Sequence, residues 1–151
     1  MNIDNKAVLD SILDTLRNDE TLTSYVKSIS HGSPGHARKQ FPFIEVGGFH
    51  IRPERVMAAS ITLLYTIEIF AGTRSLAPGV AYKGSSSGKK GINDLCDDIC
   101  DAIRGQTFGG LFQPVYRIAA DPNYKRDKGE TVHIGSVVFT ASHWTMLRPG
   151  A

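Results

Sequence analysis

Ile61-Thr62-Leu63-Leu64-Tyr65-Thr66-Ile67-Glu68-Ile69-Phe70 decides the fold class of this 151-residue chain. On an extended backbone Ile61, Leu63, Tyr65, Ile67 and Ile69 share one side, and Thr62, Leu64, Thr66, Glu68 and Phe70 share the other. The spacing predicts a long strand over 60–70 with one wholly apolar face. The opposite face is mixed, and Leu64 and Phe70 on it predict that something covers part of that surface.

On the N-terminal side, Phe41-Pro42-Phe43-Ile44-Glu45-Val46 predicts a strand over 43–49, because Pro42 cannot donate to a ladder and belongs at a strand start. Gly47-Gly48 weakens its far end, and Arg52, Pro53, Glu54 and Arg55 predict a connection between Ile51 and Val56. Earlier still, Val8, Leu9, Ile12, Leu13 and Leu16 form one helical stripe, capped by Asp4 or Asn5 and ended by Asn18-Asp19. A helical turn over 22–26 follows, and then an exposed turn-rich loop over 28–40, with Gly32, Ser33, Pro34, Gly35, Arg38 and Lys39.

On the C-terminal side, 72–91 is polar and rich in Gly and Ser, so a flexible loop without core positions is expected there. Ile92, Leu95, Cys96, Ile99, Cys100 and Ile103 then predict a helix over 91–104, with Gly105 as its left-handed stop. Two strands follow, over 114–124 and 130–145, joined by a short hairpin at Asp127-Lys128-Gly129 in which Gly129 supplies a positive φ. The expected fold is therefore a single α+β domain of order α-β-β-α-β-β spanning 1–151. Its sheet is mainly antiparallel, its helices pack on one face, and it closes with a long C-terminal hairpin.

Composition narrows the function classes. The formal net charge of +2 is too small to suggest a nucleic-acid-binding face, and 41% hydrophobic with 21% charged residues is ordinary for a globular domain. No apolar run approaches the roughly 18 residues of a membrane span. Met1-Asn2-Ile3-Asp4-Asn5 lacks the basic and apolar regions of a secretory leader, so a product kept in the cytoplasm where it is made is expected. The two cysteines, Cys96 and Cys100, lie one helical turn apart on the apolar stripe and project in parallel, which suits packing thiols better than a disulfide.

Catalytic and metal constellations are weak. Asp97-Asp98-Ile99-Cys100-Asp101 matches the DDxxD pattern of carboxylates that hold Mg²⁺, but such chemistry needs a second metal-binding helix and a large helical cavity; a solvated acidic face is the expectation. His31 and His36 sit in a Gly/Pro loop without metal-ligand spacing, and His133 and His143 fall on strand patterns. Gly84-Ser85-Ser86-Ser87-Gly88-Lys89-Lys90 departs from the phosphate-binding loop in spacing and in lacking Ser or Thr after Lys. No nucleophile elbow is present. The residues nominate no catalytic, metal or cofactor site, and no cofactor is expected.

The charged and strand-end features point instead to contact surfaces. Candidate partner contacts are Arg74, Lys83, Lys89 and Lys90 in the loop, and Lys125, Arg126 and Lys128 at the closing hairpin. Candidate subunit-interface residues are Leu64, Thr66, Glu68 and Phe70 on the mixed strand face, because long antiparallel ribbons with open margins invite another chain.

The N-terminal helix, the FPFIEV stretch at 41–46, the long strand ending Tyr65-Thr66-Ile67-Glu68-Ile69-Phe70-Ala71, the helix over 92–103 and the closing hairpin together resemble the tail-terminator and tail-completion proteins of long-tailed bacteriophages. The resemblance lies in element order and texture over nearly the whole chain. It implies a structural virion protein, made in a bacterial host, that forms a homo-oligomeric, typically six-fold ring at the head-proximal end of the tail tube. There it would end tube polymerisation and offer a surface to the neck. The implied partners are tail-tube protein and neck or connector protein, with DNA passing through the lumen without specific binding and no membrane. A neck or head-completion protein of the same virion would share this texture. A small ligand-binding domain or enzyme is the reading from another class.

Overall fold

A computed structural model of the chain describes residues 4–32, 40–77, 79–86, 88–129 and 131–146. Ser33, Pro34, Gly35, His36, Arg38, Lys39, Pro78, Ser87 and Glu130, which figure in the sequence reading, lie outside the described residues.

The domain is α+β. Its elements are α1 (Asn5–Arg17), α2 (Glu20–Thr23), β1 (Ser28–His31), β2 (Phe43–Val56), β3 (Ser60–Arg74), α3 (Val80–Lys83), α4 (Ile92–Ile103), β4 (Ile118–Arg126) and β5 (Val132–Met146). The five strands form one sheet in the order β1-β2-β3-β5-β4, with β1 parallel to β2 and every other pairing antiparallel.

The expected strand over 60–70 runs further, to Arg74, and pairs with β5 from Ser60↔Met146 to Arg74↔Val132 without a register shift. Its odd positions face the helices: Tyr65, Ile67 and Ile69 are buried with Val8, Ile12 and Leu16 of α1 and Ile92, Leu95 and Ile99 of α4 in one continuous core. Both long helices begin and end as their residues dictate. Asp4 accepts the Lys6 N–H at 3.0 Å to cap α1, and after α4 the chain turns at Gly105 with φ 77°, a conformation open to glycine. The long loop after α4 returns aromatic groups to this core, with Phe112 edge-on to Tyr65 at 5.1 Å and Phe108 stacked on Phe139 at 5.6 Å.

Several expectations need correction. Residues 51–56 are not a connection: β2 continues to Val56 and absorbs Gly47-Gly48 and Pro53-Glu54 as register shifts at Val46/Phe49 and Pro53/Arg55. Part of the stretch read as a turn-rich loop is β1, held in parallel register with Ser28 opposite Phe43. The helical turn expected over 22–26 lies at Glu20–Thr23, where Asp19 accepts the Leu22 N–H at 2.9 Å. The final strands start later than expected, at Ile118 and Val132. Their hairpin is present, but Gly129 does not adopt a positive φ. The turn is held instead by the Asp127 carboxylate, which accepts the Thr131 N–H at 2.8 Å and the Thr131 hydroxyl at 2.6 Å. These hydrogen bonds, with one from the Val132 N–H, lower the Asp127 pKa below its ordinary value.

The segment over 72–91 is a built element and not a loop without core positions. Its first residues belong to β3, and Thr73, Ser75 and Ala81 are buried. The Thr73 hydroxyl donates to the Ala81 carbonyl and the Ser75 N–H to Thr131 O at 2.8 Å, which ties α3 to β3 and to the foot of β5.

Cys96 is buried against Gly135 of β5 and Cys100 is half-buried; both are free thiols. Burial raises both thiol pKa values, that of Cys96 to about 12. The raised value means that the fold favours the protonated thiol. This stabilisation is complete below the ordinary value of 9.0 and is lost as pH rises towards about 12. At pH 8 alkylation of the native chain should therefore mark Cys100 well before Cys96, and peptide mass spectrometry would detect the order; equal labelling would contradict the packing.

A Cβ at Gly135 would sit 2.6 Å from Cys96 Sγ. Gly135→Ala should thus destabilise the fold by about 1–3 kcal/mol in urea unfolding. Cys96→Ala in the same chain should recover part of that loss.

Candidate functional site

Fifteen residues at about 3.3 Å each make β3 roughly 50 Å long, so the sheet has two well-separated ends. One end is basic. The register sets Arg74 opposite Val132, Arg126 opposite His133 and Lys125 opposite Ile134, and Asn123 Nδ2 donates to the Tyr82 hydroxyl at 3.3 Å. The loop cations and the hairpin cations, 35 or more residues apart in the chain, thereby share one end of the molecule.

Their individual settings differ. Lys83, Lys125 and Lys128 are exposed. Lys125 lies over the Tyr124 ring at 5.8 Å, and Tyr124 itself leans on Phe70 at 5.4 Å. Arg74 lies 5.9 Å from the centroid of Phe41. Lys89 Nζ donates to Ser75 Oγ at 3.3 Å. Lys90 is the most committed: its ammonium is 3.3 Å from Asp98 Oδ2 and 5.5 Å from the Tyr25 ring centroid, while the Tyr25 hydroxyl donates to the same carboxylate at 2.6 Å. Burial and the hydrogen bond to Asp98 raise the Tyr25 pKa above its ordinary value. Lys90 is therefore a strut between the 72–91 segment and α4, and it is less available to a partner than its neighbours. Between these groups lies an open cleft of about 420 Å³, lined by Tyr25, Lys27, Phe41, Arg74, Lys89 and Lys90 among others.

The acidic motif on α4 is less solvated than expected at Asp98, whose side chain is 16% exposed. Asp98 is engaged by Tyr25 and Lys90, and Asp101 accepts from Arg104 at 2.8 Å. Among the described residues no group of three or more His, Cys, Asp or Glu side chains is placed to hold a metal ion. His143 donates from Nδ1 to the Leu111 carbonyl at 2.6 Å, and His133 is buried beside the Tyr82 ring at 5.3 Å. No described helix is long and apolar enough to cross a membrane.

The other end of the sheet carries the features that sequence reasoning missed. Beyond the helical layer, β2, β3 and β5 continue as a three-stranded arm on which residues 50–59 are all exposed. Trp144 and Met146 stand on one face, each more than half exposed, and Ile51 and Val56 on the other. The alternation Phe49, Ile51, Pro53 was the available signal, masked by the charges between them.

Of the candidate interface residues, Leu64, Thr66 and Glu68 lie on the helix-free face of the sheet, half-buried, in line with Ser142, Thr140 and Val138 of β5. Phe70 is on the same face but only 8% exposed, enclosed in part by Tyr124, so it supports the surface and does not present itself.

No family model matches the chain, and no curated protein matches its sequence. Among solved structures the fold is similar to that of a chain in the virion of a native gene transfer agent particle, with a TM-score of 0.59 and 14% identity, over 93% of this chain and 97% of that one.

Proposed function

We propose that this chain is a structural virion subunit that closes a ring at the head-proximal end of a tail tube, ends tube growth and offers a surface for head or neck joining. The observation that carries this reading is the length of one sheet that separates a cluster of cations at one end from an arm at the other on which Ile51, Val56, Trp144 and Met146 are exposed. A protein built this way is suited to touching different neighbours at its two ends. The similarity of fold to a virion chain, over nearly the whole of both chains, supports an assembly role. The element order and the texture at 41–46 and 65–71 support the tail-terminator family within it.

In this reading the basic end meets tube or neck proteins through Arg74, Lys83, Lys89, Lys125, Arg126 and Lys128. Exposed cations of this kind steer association and fix orientation more than they add affinity. Lys90 holds the surface in shape through Asp98. DNA would pass through the ring without specific contacts.

Replacing Lys83, Lys125 and Lys128 together by Glu should leave urea stability within about 0.5 kcal/mol, because all three are exposed. The same variant should lose arrest of tube length by at least about tenfold when purified tube subunits are polymerised and the tubes measured by electron microscopy. Tubes stopped at the normal length by the variant would refute the assignment of the basic end. Binding of the unaltered chain to connector protein, with no effect on tube length, would favour the neck or head-completion role.

A further inference from the structure

The open cleft beside Tyr25 and Phe41 is lined by one sign of charge. Lys27, Arg74, Lys89 and Lys90 stand around it, and no carboxylate is among its described lining residues. A second hollow of about 430 Å³ shares Phe41, Arg74 and Lys89 with it and adds Ser75 and Leu76. Leu76 is 88% exposed, more than any other large apolar side chain among the described residues.

The carboxylates nearby are already engaged. Asp98 is held by Lys90 and the Tyr25 hydroxyl, Asp94 accepts the Gly91 N–H at 3.0 Å, and Asp19 caps α2 through the Leu22 N–H. Lys27, Arg74 and Lys89 have no ion-pair partner among the described residues. Cations gathered without counter-charges repel one another, and an incoming anion relieves that repulsion.

The backbone fixes where these cations stand. The Lys27 N–H donates to Pro42 O at 2.8 Å, which joins the chain after α2 to the start of β2, and Arg74 ends β3. The turn that carries Lys89 is closed by the Ser85 N–H to Lys89 O at 2.9 Å and the Gly88 N–H to Ser85 O at 3.2 Å. Lys89 Nζ rests on the buried Ser75 hydroxyl, and the Arg74 guanidinium lies over the Phe41 ring. A guanidinium placed against a ring keeps its planar fork free for a carboxylate.

The neighbours of the cations select among anions. Inorganic phosphate would use the charges and gain nothing from Leu76 or Phe41. A single nucleic-acid strand needs open aromatic faces on which bases stack, whereas Arg74 already lies over Phe41 and Lys90 over Tyr25, 5.5 Å from its centroid. A protein segment with carboxylates beside an apolar residue uses every feature present.

We infer that this cleft receives an acidic segment of a partner protein, with carboxylates at Lys27, Arg74 and Lys89 and an apolar side chain against Leu76 and Phe41. This rests on the reading of the basic end as the face turned to tube or neck proteins, and supplies the chemistry of what it meets there.

Amide NMR titration of the full chain with acetyl-Glu-Glu-Phe-Glu-Glu-amide tests it. Shifts should gather at residues 24–27, 73–76 and 88–90, and the Gln counterpart of the peptide should bind at least about tenfold more weakly. Lys27→Glu combined with Arg74→Glu, both at exposed positions, should cut binding at least about tenfold while thermal unfolding shows an intact fold. Leu76→Ser should weaken the peptide about threefold and leave its Gly counterpart, with Phe replaced, unaffected. Shifts spread over all exposed lysines, or equal binding of the Gln peptide, would overturn the cleft. Tighter binding of an oligothymidylate of equal charge at the same residues would overturn the protein partner in favour of nucleic acid. Normal arrest of tube length by the double variant would overturn the cleft as the partner contact and leave the ring reading standing. Peptide bound at the cleft of a chain that arrests no tubes and binds no connector would uphold the cleft and overturn the ring reading.

Discussion

The unbroken pairing of β3 with β5 is the constraint on which the rest of the molecule depends. Fifteen consecutive partners without a shift fix which side chains face the helices, because displacement by a single residue would send Tyr65, Ile67 and Ile69 to the opposite surface. The helices have no other apolar surface of this extent to cover, so α1 and α4 follow the register. The same pairing carries Arg74 to the foot of β5 and Trp144 to its far end, and thus creates the two chemically distinct extremities.

The fold was legible where local pattern and tertiary burial agree. β3, α1 and α4 show clean periodicity in the sequence, and each buries the face its pattern specifies. The distal half of β2 was not legible, because Arg52, Pro53, Glu54 and Arg55 carry the composition of a connection. They remain extended because β3 offers partners to Arg52, Pro53 and Arg55 on either side of the shift at Glu54, and a strand exposed on both faces needs no apolar alternation. β1 was hidden for a related reason. Ser28-Ile29-Ser30-His31 has one apolar residue, and its extended state comes from lying beside residues 43–46 of β2.

The candidate site was half legible. Charge identified the basic residues, but only topology shows that the 72–91 segment and the closing hairpin share an end, and only contacts separate Lys90, fixed by Asp98 and Tyr25, from the more exposed Lys83 and Lys128. On the mixed face, periodicity placed Leu64, Thr66, Glu68 and Phe70 together correctly. It could not reveal that Tyr124, from a bulged stretch of β4, closes over Phe70. The arm was the larger omission, because its exposed apolar side chains Ile51, Val56, Trp144 and Met146 come from strands that meet only in the folded chain.

The long ribbon also has a mechanical consequence. Traction applied between the cationic extremity and the arm acts along the strands, so the hydrogen bonds joining β3 to β5 are loaded in shear and resist together instead of opening one after another. Force entering at either extremity would be relayed as a push or pull on the other before the helical layer deformed. In an assembly, such a subunit behaves as a stiff spoke: what happens at one junction is felt at the next.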